Sequence, residues 1–144
     1  MNYFFYFVAA AIVLKSIITR LFPMSSAKPI SLNEIQSISK TGEHNGHKLI
    51  IIDVRNPSEF SAGHVPNAHN VPVDDLQRAL ALPKDKFRSE YNFELPTKDD
   101  EGVVVYCQRG GRAARAAGYL AAAQYADNLY IYSPGWSEFS ANPE

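Results

Sequence analysis

The chain has 144 residues, of which 46% are hydrophobic and 20% charged, with a single cysteine. That composition suits one ordinary globular domain and excludes a disordered, collagen-like or disulfide-stapled chain, a second folded domain and every multi-thiol zinc or iron–sulfur site. A formal charge of −1 gives no net basic field for nucleic acid or an acidic membrane surface, so any anion recognition has to be local.

Residues 1–22 stand apart from the rest. An apolar and aromatic run over residues 3–14 is followed by Lys15 and Arg20, and no acidic residue occurs before Glu34. The run is shorter than the roughly 20 residues that cross a bilayer and lacks the basic leader of a secretory signal. Residues 1–23 therefore read as a hydrophobic targeting or anchor segment, with any membrane contact confined to residues 1–22. Lys15, Ser16, Thr19 and Arg20 suit a mitochondrial presequence, and a mitochondrial location is the expectation. A cytosolic protein started internally at Met24 and a membrane-anchored protein are the alternatives. The folded domain is expected over residues 27–142.

From Ser25 onward helical and strand signals alternate. Ser31 and Glu34 form a capping box, with Leu32, Ile35 and Ile38 on one helical stripe. Residues 49–54 form an isoleucine-rich apolar run that reads as a strand buried on both faces. Asn56 caps a brief helical turn with Pro57 at its first position. Residues 71–73 read as a short strand, followed by a helix capped by Asp74 or Asp75 and stopped by Pro83. Residues 84–93 read as a second, charged helix, 103–106 as a buried strand, 112–123 as an alanine-rich helix and 128–132 as the last strand. Such alternation predicts an α/β fold: a mainly parallel central sheet flanked by helices on both faces.

Ligands of an open α/β sheet bind at the carboxyl ends of its strands. Cys107 sits there, one residue past the strand 103–106, and Gln108, Arg109, Gly110 and Gly111 separate it from Arg112 and the next helix. Two adjacent glycines allow backbone N–H groups to converge, and a helix N-terminus adds a positive dipole end. In such a cradle a thiol ionises more readily than a free cysteine, so Cys107 is expected to be a catalytic thiolate. A lone cysteine ending an apolar strand is ordinarily a packing residue, but that role gains nothing from Gly110, Gly111, Arg109, Arg112 and Arg115 beside it. Arg115 taken alone reads as a solvated surface charge.

Three stretches carry a family resemblance. They are Ile52, Asp53, Val54 and Arg55 followed by Glu59 and Phe60; the run Gly63, His64, Val65, Pro66, Asn67 and Ala68; and the loop from Cys107 through Gln108, Arg109, Gly110, Gly111 and Arg112 to Ala113. In order and spacing the chain resembles the single-domain rhodanese sulfurtransferases over roughly residues 30–139, and among them the small thiosulfate sulfurtransferases with an insert like residues 73–93. Ser133, Pro134, Gly135 and Trp136 depart from the family pattern by placing Pro134 where glycine is commoner.

The resemblance implies a rhodanese-like domain and a two-step sulfur transfer. The Cys107 thiolate attacks the outer sulfur of thiosulfate, sulfite leaves, and the resulting persulfide passes its sulfur to a thiol such as glutathione or thioredoxin, or to cyanide. Cys107 and Arg112 are the implied catalytic residues, and Gln108, Arg109, Gly110, Gly111 and Ala113 the implied substrate-binding residues, with no metal or cofactor. With no second cysteine, the acceptor must be external. Asp53 and Arg55 are expected to brace the cradle, pairing with Arg112, and His64 to hold a backbone carbonyl in a turn. Tyr106 and Trp136 read as pocket wall or core, and His44, His47 and His69 as polar loop residues with the spacing of a weak metal site at best.

Two rival functions remain. Cysteine phosphatases and arsenate reductases share the strand, cysteine, cradle and arginine, but they resemble this chain with five residues between cysteine and arginine; here there are four, which suits a single sulfur atom better than tetrahedral phosphate. A non-catalytic rhodanese-like interaction module typically lacks the cysteine.

Overall fold

The computed structural model describes residues 27–143; the expected targeting segment, residues 1–23, lies outside them. Six strands form one sheet: β1 (Lys28–Pro29), β2 (Glu43–His44), β3 (His47–Asp53), β4 (His69–Asn70), β5 (Glu101–Tyr106) and β6 (Leu129–Tyr132). Their order is β1-β6-β5-β3-β2, with β4 also on β3. Every pairing is parallel except the β2–β3 hairpin. The register aligns Asp53 with Tyr106 and Tyr106 with Tyr132, so three polar side chains meet at the carboxyl edge.

Side chains alternate across the pleat, and both faces are covered. Ile52, Val54, Val103, Val105, Cys107 and Leu129 enter one core, beneath α3 (Val73–Leu80), α4 (Lys84–Tyr91) and α5 (Gly111–Leu120). Leu49, Ile51, Val104, Tyr106, Tyr130 and Tyr132 enter the other, beneath α1 (Leu32–Thr41) and α6 (Gly135–Ala141), with Phe60 from α2 (Pro57–Ala62) packed against it. Ala113, Ala116, Ala117 and Leu120 are buried on one stripe of α5; three of the four are alanine, which brings the helix close to the strands. Among the described residues no helix is long and apolar enough to cross a membrane.

The capping box forms as expected: Ser31 N–H donates to Glu34 Oε2 at 2.7 Å and Glu34 N–H to Ser31 Oγ at 3.3 Å. Several expected boundaries shift. The strand expected at 71–73 is instead His69–Asn70, because Pro72 has no N–H for a ladder and Val73 already opens α3. Pro72, not Asp74 or Asp75, is the N-cap of α3; the two aspartates lie in its first turn, where they favour the dipole. The α4 helix stops at Tyr91 because Asn92 turns left-handed at φ 61°. The alanine-rich helix is regular only to Leu120, after which a wide turn runs to Tyr125 with Gln124 at φ 73°.

Candidate active site

β5 delivers Cys107 to the carboxyl edge, and Gly110, at φ 102°, bends the chain into α5. The backbone N–H of Gly110 donates to Cys107 Sγ at 3.0 Å and that of Ala113 at 3.4 Å. Both donors and the N-terminus of α5 thus place positive dipole ends against one sulfur. Gly110 is required here, since a Cβ on it would stand 2.9 Å from the Ser133 carbonyl as well as strain the backbone. Gly111 differs from expectation: it is helical and a Cβ there meets nothing within 4 Å, so one glycine of the pair makes the turn.

The far wall of the cradle is the start of α6. Trp136 N–H donates to the Cys107 carbonyl at 2.9 Å and Ser137 N–H to the Gln108 carbonyl at 3.2 Å. Gly135, at φ 68°, allows this approach: a Cβ there would lie 2.3 Å from the Cys107 carbonyl oxygen. Pro134, the departure from the family pattern, sits at φ −61°, the angle its ring fixes in any case.

The arginines divide. Arg112 does not reach Asp53, as was expected of it, but forms two bonds with Glu59 of α2, Nη1 to Oε2 at 2.7 Å and Nη2 to Oε1 at 3.0 Å. Glu59 also accepts the Asn56 N–H at 2.9 Å. Chiefly through the Arg112 bonds, its carboxyl is held down to about 2, and Arg112 in turn is held above its ordinary value by the same pair. Arg109 is exposed, and among the described residues its side chain has no ion pair or hydrogen bond. Arg115 pairs with Asp74 on the surface.

Asp53 is unavailable to Arg112 because Arg55, two residues away, occupies it. Arg55 donates to Asp53 from Nε at 3.1 Å and from Nη2 at 2.7 Å, and both side chains are almost fully buried. Arg55 Nη2 also donates to the Gly63 carbonyl at 2.7 Å, and Nη1 reaches Gln108 Oε1 at 3.4 Å. The Trp136 ring lies 5.3 Å from its guanidinium carbon. Burial opposes the Arg55 charge, but Asp53 outweighs it and holds the guanidinium above its ordinary value. The Tyr106 hydroxyl donates to Asp53 and accepts the Val65 N–H at 3.0 Å; burial drives its pKa upward, so it stays neutral. A buried pair this well satisfied tolerates its desolvation, and it ties the end of β3 to Gln108 in the cradle.

His64 stacks on Phe60 at 3.8 Å, and its Nδ1 is 2.9 Å from the Phe60 carbonyl, a turn-holding position. His44 lies beside Glu34 and His69 stacks on Phe93, where burial lowers its pKa; among the described residues no group of three or more His, Cys, Asp or Glu is placed to hold a metal. Sequence reasoning missed Glu59 as a site residue, although its position at the third residue of α2 is a capping signal. It also missed Asn70, whose side chain donates to the carbonyls of Asp53 and Arg55 at 3.0 and 2.9 Å.

Residues 32–142 match the Rhodanese-like domain family. The human thiosulfate:glutathione sulfurtransferase is 36% identical over 109 residues, 72% of this chain and 90% of that protein. A mitochondrial thiosulfate sulfurtransferase of Saccharomyces cerevisiae is 29% identical over 126 residues, 88% and 81% of the two chains. The solved structure of the human single-domain sulfurtransferase TSTD1 superposes with a TM-score of 0.72 at 30% identity, covering 82% of this chain and 99% of that one. The chain belongs to the rhodanese family, among its single-domain sulfurtransferases.

Proposed function

We propose that this protein moves a sulfane sulfur from thiosulfate, through a persulfide on Cys107, to an external thiol. In the first step the Cys107 thiolate bonds to the outer sulfur of thiosulfate, and the S–S bond breaks with its electron pair leaving on sulfite. In the second, an acceptor thiolate bonds to the outer sulfur of the persulfide and Cys107 departs as thiolate. No oxidant or reductant enters either step. The observation that carries this reading is the sulfur at the convergence of the Gly110 and Ala113 N–H groups, which stabilises a negatively charged persulfide without a metal. Arg109, Gln108, Gly110, Gly111 and Ala113 bind the donor, while Arg112, Asp53, Arg55 and His64 hold the cradle.

Glutathione is the favoured acceptor, since the human relative bears it in its name; thioredoxin and cyanide are the alternatives, compared in the same assay. Thiosulfate should add about 32 Da to the full chain by the chemistry of a persulfide, and excess glutathione should remove it. An adduct that survives Cys107→Ser overturns the assignment. The yeast relative's name also supports a mitochondrial location. Residues 1–23 fused to a soluble reporter should carry it to mitochondria, whereas a diffuse cytosolic reporter would favour a start at Met24.

A further inference from the structure

Both the donor and the first product of the proposed reaction are dianions, so a cradle that bound thiosulfate with every available cation would also retain sulfite. The charges around the sulfur are disposed against this. From the end of β3, Asp53 and Arg55 cancel one another in a buried pair, and Tyr106 of β5 is neutral. From α6, Glu138 is bonded to Tyr132. From α5, Arg112 adjoins Ala113, whose N–H is directed at the Cys107 sulfur, yet Glu59 of α2 takes two of its donors in one two-pronged contact. In the loop itself, Arg109 is exposed and unpaired among the described residues.

We propose that Glu59 is a positioning residue that sets the charge of the cradle: its carboxylate holds Arg112 in place and cancels its charge, leaving Arg109 as the uncompensated cation that meets an anionic donor. The inference rests on the sulfur-transfer reading for its purpose, but the charge it assigns is measurable without any sulfur transfer. Glu59 is itself anchored by the Asn56 N–H, so swinging away would cost the carboxylate its capping-box bond at the start of α2. The helix therefore fixes where Arg112 points, and the pair is part of the fold before any donor arrives.

The test uses the full chain and two alkylating reagents of similar size, iodoacetate, an anion, and iodoacetamide, which is neutral. Both must reach the same sulfur, so access and the fraction of thiolate cancel in the ratio of their rates, and the ratio reports local charge. Glu59→Gln leaves Arg112 uncompensated and should raise the iodoacetate/iodoacetamide ratio roughly tenfold, the low end of what one neighbouring opposite charge does to an ionic equilibrium. Arg112→Gln leaves Glu59 uncompensated and should lower the ratio by a comparable factor. The double variant restores a neutral pair and should return the ratio to the wild-type value, even if it is less stable. For thiosulfate, Glu59→Gln should lower KM and kcat together, because donor and sulfite are both held more tightly.

A purely structural Glu59 would slow both reagents alike, and an unchanged ratio in Glu59→Gln overturns the proposal. Should that variant fail to fold, an unchanged ratio in Arg112→Gln overturns it equally. If the ratios move as expected but thiosulfate leaves no persulfide, the charge assignment stands and the sulfur-transfer reading falls.

Discussion

Gly135→Ala tests whether the start of α6 is the clamp of the cradle. Gly135 sits at φ 68°, and an added Cβ would lie 2.3 Å from the Cys107 carbonyl oxygen and 2.6 Å from that of Gln108. A left-handed alanine costs about 1–2 kcal/mol. Ordinary contact begins near 3.4 Å, so the backbone must also move by about an ångström, an overpacking cost of roughly 1–3 kcal/mol. The expected loss is therefore about 2–5 kcal/mol, or roughly 8–20 °C in Tm for a domain of this size. The displaced atoms are the carbonyls of Cys107 and Gln108, so persulfide formation should slow as well. Gly111→Ala is the control: with nothing within 4 Å of its Cβ in a helical position, it should leave stability unchanged or raise it by about 0.5–1 kcal/mol. Urea unfolding of both variants, with persulfide formation followed by intact mass, decides the matter. Equal stabilities for the two variants, or a Gly135→Ala protein within about 0.5 kcal/mol of wild type, would refute the reasoning.

Arg109→Ala should raise KM for thiosulfate by an amount equivalent to roughly 1.5–3 kcal/mol, one charge-assisted contact, while Tm stays put because the side chain has no partner among the described residues to lose; Arg109→Lys should recover most of the binding, and steady-state kinetics with thermal unfolding check both. Arg55→Ala leaves Asp53 buried without its countercharge and should cost about 3–5 kcal/mol in urea unfolding; a loss below about 1 kcal/mol would mean that water replaces the guanidinium. Glu59 is depressed from 4.5 to about 2 in the folded protein, so its contribution to stability is complete above pH 4.5 and is lost as pH falls through the folded pKa near 2. Discounted for its partial exposure, that contribution is on the order of 1–2 kcal/mol. Glu59→Gln should remove this part of the acid slope in Tm measured between pH 2 and 6, and an unchanged slope would mean that the pair does not persist in solution.

The strands β3 and β5 are legible in the sequence because both faces of the sheet are covered, which turns their residues into unbroken apolar runs. β2 and the first residues of β3 are not, because Glu43, His44, His47 and Lys48 pair through backbone groups at a polar edge. Their signal is Asn45-Gly46, whose positive φ angles of 50° and 79° make a two-residue hairpin turn. The apolar pair Val71 and Val73 points to a strand just past the true β4, since their side chains are buried but the chain is already leaving the sheet at Pro72. In the site, Cys107 and its two donors lie within six residues of one another, so local pattern suffices to find the cradle. The partner of Arg112 does not follow from local pattern. Asp53 and Glu59 are both carboxylates at the mouth of the same sheet, and the choice between them depends on Arg55 having already taken Asp53.

That prior occupation explains how a protein with formal charge −1 can present an anion site. Three arginines lie at the carboxyl edge, but charge is only one of the things they contribute. Arg55 is spent inside the fold, joining Asp53, Gly63 and Gln108 so that β3, the turn after α2 and the cradle move as one piece. Arg112 fastens α5 to α2 through Glu59 and keeps the ring closed. With both guanidiniums paired to carboxylates, the backbone N–H groups are what the sulfur meets at its floor, and in the proposed reaction Arg109 is what a donor would meet at the rim. Backbone donors cannot be titrated and cannot swing away, whereas an exposed arginine on a loop can turn toward an arriving anion and away with a departing one. A site so divided would hold the sulfur tightly at one end and its anionic carrier loosely at the other, which is the asymmetry that the proposed two-step transfer through a single cysteine needs.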